Sequence, residues 1–226
     1  MLDKRLGVCM SLVSDGGIAC DVGTDHAYLA AELLLAGRCT KVIASDIADG
    51  PLDAARQTIE KKGLSDRAEV VKSDGLKNIT PDGITDVIMA GMGGELIARI
   101  ISEAPWLKEN RVRLILQPMT KEKELRRELY RSGFSISEEK AVRDGKRAYT
   151  VMLALYTGEV REGISVREEY FGALVFDNDD AAAYGEKVLT RLGKELDGCR
   201  SEGKPETAQL EEIKAELVKI IGGNEK

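Results

Sequence analysis

The chain has a single histidine, His26, in 226 residues. Its four cysteines, Cys9, Cys20, Cys39 and Cys199, show no CxxC spacing, so we expect no tetrahedral metal site. We expect these cysteines to be buried free thiols. No run of about 18 apolar residues occurs, and the amino terminus lacks an apolar signal core. We therefore expect no bound metal, no membrane partner and a cytoplasmic location.

Positive charge is concentrated in one part of the chain, although the formal net charge is −6. Residues 1–156 carry 23 Lys/Arg and 23 Asp/Glu, whereas residues 157–226 carry 10 and 16. Within the first part, residues 111–147 hold 11 basic and 6 acidic side chains, which would allow a polyanion to bind. A solvated helix face is the alternative, since several of these charges alternate at helical spacing.

Strand-like and helix-like segments alternate over the first 156 residues, which is typical of a parallel α/β sheet. Short apolar runs predict seven strands, at 18–21, 41–46, 68–72, 86–90, 113–117, 134–138 and 148–156. Helical periodicity predicts helices at about 28–36, 51–62, 94–102 and 121–132. The last two strands, joined across polar residues 143–147, should pair antiparallel. The sequence thus predicts a Rossmann-like, mostly parallel, seven-stranded sheet.

Long helical stretches follow residue 157, broken by a polar segment at 197–205. Apolar residues recur at helical spacing on both sides of this break, which predicts a helical hairpin. We therefore expect two units, a sheet domain at 1–156 and a C-terminal, coiled-coil-like helical appendage at 157–226. A dimerisation or capping arm and a substrate-binding arm both fit the appendage, and we expect a monomer or a weak dimer.

Polar residues and glycines cluster where the predicted strands end, the edge at which a parallel sheet binds its ligand. In order of the first four strands they are Asp21, Gly23, Asp25 and His26; Asp46; Asp74 and Gly75; and Gly91, Met92 and Gly93. Asp46 suits hydrogen bonds from the two hydroxyls of a ribose, and Asp74 could accept from an adenine amino group. Asp86 begins its strand and so lies at the opposite edge of the sheet, and we do not assign it to the site.

Most of these residues also have a purely structural interpretation. Asp21 could be held by backbone donors, and His26 could cap the following helix or bridge to Asp25. Asp74 could belong to an ordinary turn. The glycines at 91–94 could form a tight corner between strand and helix.

The first turn distinguishes between two adenosine-containing cofactors, nicotinamide dinucleotides and S-adenosylmethionine. A dinucleotide site requires G-x-G-x-x-G, so that the backbone can approach a pyrophosphate. Here only Gly23 is present, and the carboxylate of Asp25 would repel a pyrophosphate. A cofactor with a cationic sulfonium is therefore favoured, which makes a class I methyltransferase fold the prediction.

Six motifs resemble, in order, those of the bacterial tRNA (adenine-22-N1)-methyltransferases, over roughly residues 1–156. They are Asp21-Val-Gly-Thr-Asp-His-Ala-Tyr-Leu29, Asp49-Gly-Pro51, Ser73-Asp-Gly-Leu76, Ala90-Gly-Met-Gly-Gly94, Leu116-Gln-Pro118 and Gly145-Lys-Arg-Ala-Tyr149. The resemblance implies transfer of a methyl group from S-adenosylmethionine to N1 of an adenine in the D-arm region of tRNA.

The same resemblance implies roles for the residues at the strand ends. The cofactor would be surrounded by Asp21, Gly23, Asp46, Asp74 and Gly75, with Asp25 and His26 beside its methionine end. The catalytic side would be formed by Gly91, Met92, Gly93, Gln117 and Pro118. Residues 90–94 occupy the position where other nitrogen methyltransferases carry an Asn/Asp-Pro-Pro-Tyr motif, and Gln117-Pro118 would lie close to it on the neighbouring strand.

Three positions depart from the family pattern. The family usually has glutamate where Asp46 stands, asparagine where Met119 stands, and glutamate where Thr150 stands. Asp46 keeps the carboxylate but shortens its reach. Met119 removes a polar group that could have contacted the target base.

For the target adenine we expect contacts from the backbone of residues 91–94 and from Gln117, with Tyr28 or Tyr149 as a stacking face. Both tyrosines could instead belong to the core. Methylation of another RNA base, a noncatalytic tRNA-binding module and a dinucleotide-dependent oxidoreductase remain as alternative functions. We do not expect His26 to act as a catalytic base.

Overall fold

Residues 2–222 are described by a computed structural model and form seven strands and nine helices. The strands are β1 (Gly17–Val22), β2 (Cys39–Asp46), β3 (Ala68–Lys72), β4 (Ile84–Gly93), β5 (Arg113–Thr120), β6 (Phe134–Asp144) and β7 (Arg147–Tyr156). The helices are α1 (Lys4–Leu12), α2 (Tyr28–Leu35), α3 (Asp49–Lys61), α4 (Gly94–Ser102), α5 (Trp106–Glu109), α6 (Glu122–Arg131), α7 (Val166–Phe171), α8 (Asp179–Glu202) and α9 (Thr207–Gly222).

The strands form one sheet in the order β3-β2-β1-β4-β5-β7-β6. Strands β1 to β5 are parallel, whereas β7 runs antiparallel to both β5 and β6. This confirms the predicted seven-stranded, mostly parallel architecture. The strand order reverses direction between β1 and β4, so the switch point of the sheet lies between the first turn and the glycine-rich end of β4.

An apolar layer of helices packs on each face of the sheet, so the parallel strands are buried on both faces. One layer includes buried side chains of α1, α2 and α3, such as Leu33 and Ile59. The other includes those of α4, α5 and α6, such as Ile97 and Leu125. A helix follows each of β1, β2, β4 and β5, and because β1 to β5 run parallel, their carboxyl ends lie at one edge.

The fourth and fifth strands are longer than predicted. Strand β4 does not end at Ala90 but continues through a register shift at Gly91, which has a φ of +83°. Beyond it, Met92 still pairs with Pro118 and Gly93 with Thr120. A glycine suits this irregularity because a positive φ is strained for other residues. Residues 91–93 are thus held in the sheet, and the tight corner to α4 lies at the junction of Gly93 with Gly94.

Helices α1, α5 and α7 were not predicted. Helix α1 begins after Asp3, whose carboxylate accepts a hydrogen bond from the Leu6 amide at 2.9 Å. These helices are only four to nine residues long, so their periodic patterns are short. Tertiary packing of residues such as Cys9 and Phe171 stabilises them.

The C-terminal helices form the predicted antiparallel hairpin. Arg200 on α8 pairs with Glu211 on α9 at 2.6 Å, whereas Gly185 lies beside Ile221 near the opposite ends of the two helices. Apolar residues of both helices share a buried cluster with Ala148 of β7. The appendage therefore packs on the antiparallel end of the sheet.

A buried ion pair links this appendage to the sheet. Arg126 on α6 pairs with Glu139 on β6 at 2.5 Å, and both side chains are at most 1% exposed. Arg126 also donates to the Tyr170 carbonyl at 3.0 Å and to the Tyr184 hydroxyl at 3.1 Å. The Thr150 hydroxyl donates to Glu139. The Glu139 carboxylate is thus shared by Arg126 and by Thr150 of the neighbouring strand.

Replacing Glu139 tests how far the buried Arg126 depends on this carboxylate. Glu139→Gln should lower the free energy of unfolding by about 3–5 kcal/mol, because it leaves the Arg126 charge buried without a partner. Adding Thr150→Glu should recover at least half of that loss by returning a carboxylate from the neighbouring strand. Urea denaturation measures both effects.

Glu138→Gln is the matched control, since its exposed pair with Lys140 should contribute less than about 1 kcal/mol. If Glu139→Gln were no more destabilising than this control, Arg126 would not depend on Glu139.

Candidate functional site

Backbone hydrogen bonds join the ends of β1, β2 and β3. The amides of Gly23 and Thr24 both donate to the Ser45 carbonyl, at 2.8 and 2.9 Å. The Ser73 amide donates to the Asp46 carbonyl at 2.9 Å. The structure therefore brings the predicted residues after these three strands together along one continuous edge.

The turn after β1 has an unusual backbone. His26 and Ala27 both have positive φ values, +58° and +53°, which are uncommon for residues other than glycine. His26 approaches Asp25 at 3.2 Å, and its ring stacks on Tyr28 with the centroids 5.5 Å apart. All three side chains are substantially exposed. A strained, solvent-facing turn is typical of a site shaped for a ligand.

His26 does not cap the following helix. Helix α2 has Ala27 at its N-cap, and no side chain bonds there. Of the two structural interpretations for His26, the structure shows the bridge to Asp25.

Asp21 is buried beneath this turn. Its carboxylate accepts a hydrogen bond from the Thr24 hydroxyl at 2.7 Å, and the side chain lies near Asp46. Burial raises the pKa of Asp21 to about 6, against the partial opposing effect of Thr24. A cationic ligand group next to Asp21 would favour its charged form, so the turn is suited to a cation.

Asp46 is fixed at the end of β2 with one oxygen engaged. Its Oδ1 accepts from the Ala48 amide at 2.8 Å, whereas Oδ2 has no hydrogen-bond partner within residues 2–222. The exposed Ile47 follows it. This arrangement leaves an acceptor and an apolar surface available to a ribose and its base.

Asp74 is engaged by two cations. It pairs with Lys77 at 2.5 Å and with Arg99 of α4 at 3.4 Å, and the hydrogen bond from Lys77 helps to lower its pKa. Gly75 has a φ of +61°, and a Cβ there would lie 2.9 Å from Ile100. A contact between Asp74 and an adenine amino group, which stays a prediction, would have to share the carboxylate with these cations.

The first turn touches the glycine-rich end of β4 directly. Gly23 has a φ of +74°, and a Cβ there would lie 2.2 Å from the Cε of Met92. The methionine methyl therefore occupies the space that a side chain at position 23 would need. Met92 thus connects the predicted cofactor loop with the predicted catalytic residues Gly91 and Gly93.

Gln117 connects the end of β4 to β5 from within the protein. Its Oε1 accepts from the Gly91 amide at 3.2 Å, and its Nε2 donates to the Pro118 carbonyl at 2.9 Å. Gln117 is fully buried, as is nearly all of Pro118. The geometry thus favours a role for Gln117 in orienting the Gly91 backbone, whereas its predicted contact with the target base stays a prediction.

Arg5 is a residue of this site that sequence reasoning missed. Its guanidinium donates to Gln117 Oε1 at 2.5 Å and is held by Asp3 at 2.6 Å. It also lies over the Tyr149 ring, 5.4 Å from the centroid. The only signal in the sequence is that Arg5 is a charged residue before the first predicted strand, where no structure was predicted.

The two candidate stacking faces differ in the structure. Tyr149 is only 7% exposed, and both Arg5 and the Lys187 ammonium lie within 6 Å of its ring centroid. Tyr28 is 49% exposed. Tyr28 is thus the one of the two that a nucleobase could reach.

Most of the predicted basic surface at 111–147 is neutralised by neighbouring carboxylates. The pairs include Arg113 with Asp86, Arg126 with Glu139, Arg127 with Glu169, Arg131 with Glu128, and Lys121 with Glu124. Asp86 lies buried at the amino end of β4, away from the site, where it also accepts from Ser14. A polyanion could therefore use only a small part of this region.

The described part of the chain shows neither a metal-binding cluster nor a membrane-spanning helix. No three His, Cys, Asp or Glu side chains of residues 2–222 come together as a metal-binding group. Over the same residues, none of the helices combines the length and apolar character needed to cross a bilayer. Cys9, Cys20 and Cys39 are buried free thiols, as predicted, whereas Cys199 is partly exposed.

Comparison with known proteins gives consistent matches. The model of the methyltransferase domain family matches residues 2–152. The tRNA (adenine(22)-N(1))-methyltransferase of Bacillus subtilis (strain 168) is 33% identical over 153 residues, which are 68% of this chain. The chain spans 64% of that relative's length.

Two solved structures extend the similarity over nearly the whole chain. Streptococcus pneumoniae Sp1610, provisionally described as a tRNA (m1A22) methyltransferase and solved with S-adenosyl-L-methionine, is 30% identical with a TM-score of 0.85. The match covers 98% of this chain and 100% of that one. The B. subtilis M1A22 tRNA methyltransferase TrmK is 27% identical with a TM-score of 0.78, covering 98% and 96%.

The raised pKa of Asp21 predicts a pH dependence of stability. Between about pH 4 and pH 6 the carboxyl ionises in the unfolded chain but keeps its proton in the folded one, so its contribution to stability falls as pH rises. A shift of about two pKa units corresponds to about 3 kcal/mol. Asp21→Asn should therefore gain up to about 3 kcal/mol relative to wild type between pH 4 and pH 7, measured by urea denaturation without ligand.

Asp66→Asn, which removes an exposed carboxyl, is the control and should follow the wild-type curve. Parallel curves for Asp21→Asn and wild type would show that Asp21 ionises normally in the folded protein.

Proposed function

This chain belongs to the methyltransferase domain family and, within it, to the tRNA (adenine-22-N1)-methyltransferases, and we propose that it methylates N1 of adenine 22 in tRNA with S-adenosylmethionine. One observation carries the proposal. The two motifs most specific to the resemblance, the first turn and the glycine-rich end of β4, meet through the contact of Gly23 with Met92 at the switch point of the sheet.

The strand ends provide the groups that such a cofactor needs. Asp46 has a free carboxylate oxygen for the ribose hydroxyls, and Ile47 offers an apolar surface to the adenine. Asp21 and Asp25 supply negative charge near the methionine end. When bound, the cofactor supplies a methyl group that its sulfonium has already activated.

The protein's main task is then to align the target and exclude water. Adenine N1 has a free lone pair, so no strong base is required, and His26 is given no catalytic role. Because N1 lies on the pairing edge, the base must leave its stack at a cost of a few kcal/mol. The exposed Tyr28, beside the first turn, offers a stacking face for it.

Gly91, Met92 and Gly93 form the side of the site that faces the target base in this proposal. Gly91 is exposed, and its backbone is fixed by the buried Gln117 amide. Backbone groups held in this way need no rearrangement when the base arrives, which favours transfer.

The finer assignments follow from the same family membership. Residues 1–156 would hold the cofactor and the target base, and residues 157–226 would be an appendage to that domain. The substrate region would be the D-arm, where adenine 22 lies. Since tRNA is a cytoplasmic molecule in bacteria, we place the activity in the cytoplasm.

The decisive experiment incubates the protein with an unmodified bacterial tRNA transcript and methyl-labelled S-adenosylmethionine, followed by nucleoside analysis. We expect 1-methyladenosine from the wild-type transcript and no label in a transcript with guanine at position 22. Label in another nucleoside would indicate another target base. Cofactor binding by calorimetry without any methylation would indicate a noncatalytic protein, and NADH binding would indicate an oxidoreductase.

Gln117→Ala should slow methyl transfer by about 10- to 100-fold, because it leaves the Gly91 amide without its partner. The Kd for S-adenosylmethionine should change less than about threefold. Single-turnover methylation and calorimetry measure the two quantities. Arg5→Ala should have a smaller effect in the same direction, and Arg5→Lys should restore part of it.

Gln57→Ala removes an exposed glutamine on α3 and serves as the control. An unchanged rate for Gln117→Ala would dismiss the role of Gln117 in the site.

A further inference from the structure

A groove lies between the tip of the β6–β7 hairpin and helix α8. Its volume is about 560 Å³, and its walls include Arg143, Lys146 and Arg147 from the hairpin and Lys187 from α8. Met119 and Thr120, at the end of β5, close one side. The groove therefore joins the catalytic edge of the sheet to the appendage.

The hairpin tip carries positive charge that the protein does not neutralise. Within the described residues, Lys146 and Arg147 have no carboxylate within 4 Å, and Arg143 approaches Asp180 only at 3.9 Å. All three side chains are exposed. Most other basic side chains of 111–147, in contrast, form close ion pairs with carboxylates. Among the described residues, four cations of 111–147 have no carboxylate partner. Lys146 and Arg147 lie at this groove, whereas Arg111 and Lys123 lie elsewhere.

The walls of the groove are held together in advance. Lys187 donates to the Ala148 carbonyl at 3.0 Å and to Glu122 at 2.9 Å, which fixes α8 against β7. At the hairpin tip, Asp144 and Arg147 face each other as backbone partners of β6 and β7, so only Gly145 and Lys146 form the turn. A two-residue turn restricts the backbone that carries Lys146 and Arg147. The backbone positions of these cations are therefore set before a ligand binds.

The groove opens directly beside the proposed site of methyl transfer. Met119 lines it, and the Met119 sulfur lies 3.7 Å from Gln117 Nε2 and 3.6 Å from Arg5. Gln117 in turn holds the Gly91 amide. One layer of side chains therefore separates the groove from the backbone that faces the target base. The methionine gives this boundary an apolar surface.

We propose that this groove binds the sugar–phosphate backbone of the substrate RNA next to the nucleotide that is methylated. This inference rests on the proposed function, since it extends the same site to the flanking nucleotides. Lysine and arginine neutralise phosphates and release condensed counterions, which gives affinity without base specificity. Lys187, whose charge Glu122 balances, holds the appendage against this surface, and the appendage, which also lines the groove with Glu186, remains unsuited to phosphates.

The test removes the two unpaired charges in the full-length protein, with Lys146→Gln/Arg147→Gln. The matched control, Lys61→Gln/Arg111→Gln, removes two exposed charges that precede β3 and β5 at the opposite edge of the sheet. Binding of an unmodified tRNA transcript is measured by fluorescence anisotropy from 50 to 300 mM KCl. Thermal unfolding and the Kd for S-adenosylmethionine show whether each variant is folded.

We expect the groove variant to bind tRNA about 10-fold more weakly at 150 mM salt. Its slope of log K against log[salt] should be smaller by about 1–2, as for the loss of two phosphate contacts. KM for tRNA should rise correspondingly, with single-turnover kcat and cofactor affinity within about twofold of wild type. The exchange Lys146→Arg/Arg147→Lys should retain wild-type binding, because the charge is kept.

Equal tRNA affinity and salt slope for the groove variant and the Lys61/Arg111 control would overturn the inference. The proposed function would still stand in that case, since wild type and control would methylate tRNA. A wild-type protein that neither binds nor methylates tRNA would instead refute the proposed function, and the inference with it.

Discussion

Strands β1 and β4 pair in parallel from Ile18 with Ile84 to Val22 with Met89, and the arrangement of the site depends on this pairing. Both strands end at the same edge, so the turn after β1 meets the continuation of β4 there. Gly23 leaves the space that the Met92 methyl fills. A shift of register by one residue would send these side chains to the opposite faces of the sheet and separate the two loops.

The same edge is reinforced by hydrogen bonds that run from strand to strand. Ser45 accepts from the first turn, Asp46 accepts from Ser73, and Gln117 accepts from Gly91. Charged and polar groups are therefore held by the sheet itself and not by long loops. Sites supported in this way keep their geometry while substrates come and go, which suits a reaction that depends on alignment.

Two contacts between distant parts of the chain shape the surroundings of the site. Glu139 carries the carboxylate for the buried Arg126, and the Thr150 hydroxyl on the neighbouring strand donates to it. Met119 carries a thioether, a weak acceptor that both Arg5 and Gln117 approach. The buried charge thus has its partner, and the edge of the site beside Gln117 carries an apolar side chain.

The sequence by itself determined the order of the seven strands and of the longer helices, the polar residues at the strand ends and the family, because these depend on local periodicity and on short motifs. The tertiary structure alone decided which residues meet: Arg5 on Gln117, Met92 on Gly23, and Glu139 on Arg126. It also decided which cations stay unpaired, since the excess of positive charge at 111–147 is largely cancelled by carboxylates from other elements. Such contacts depend on strand register and helix packing across the chain, and local propensity carries no information about either.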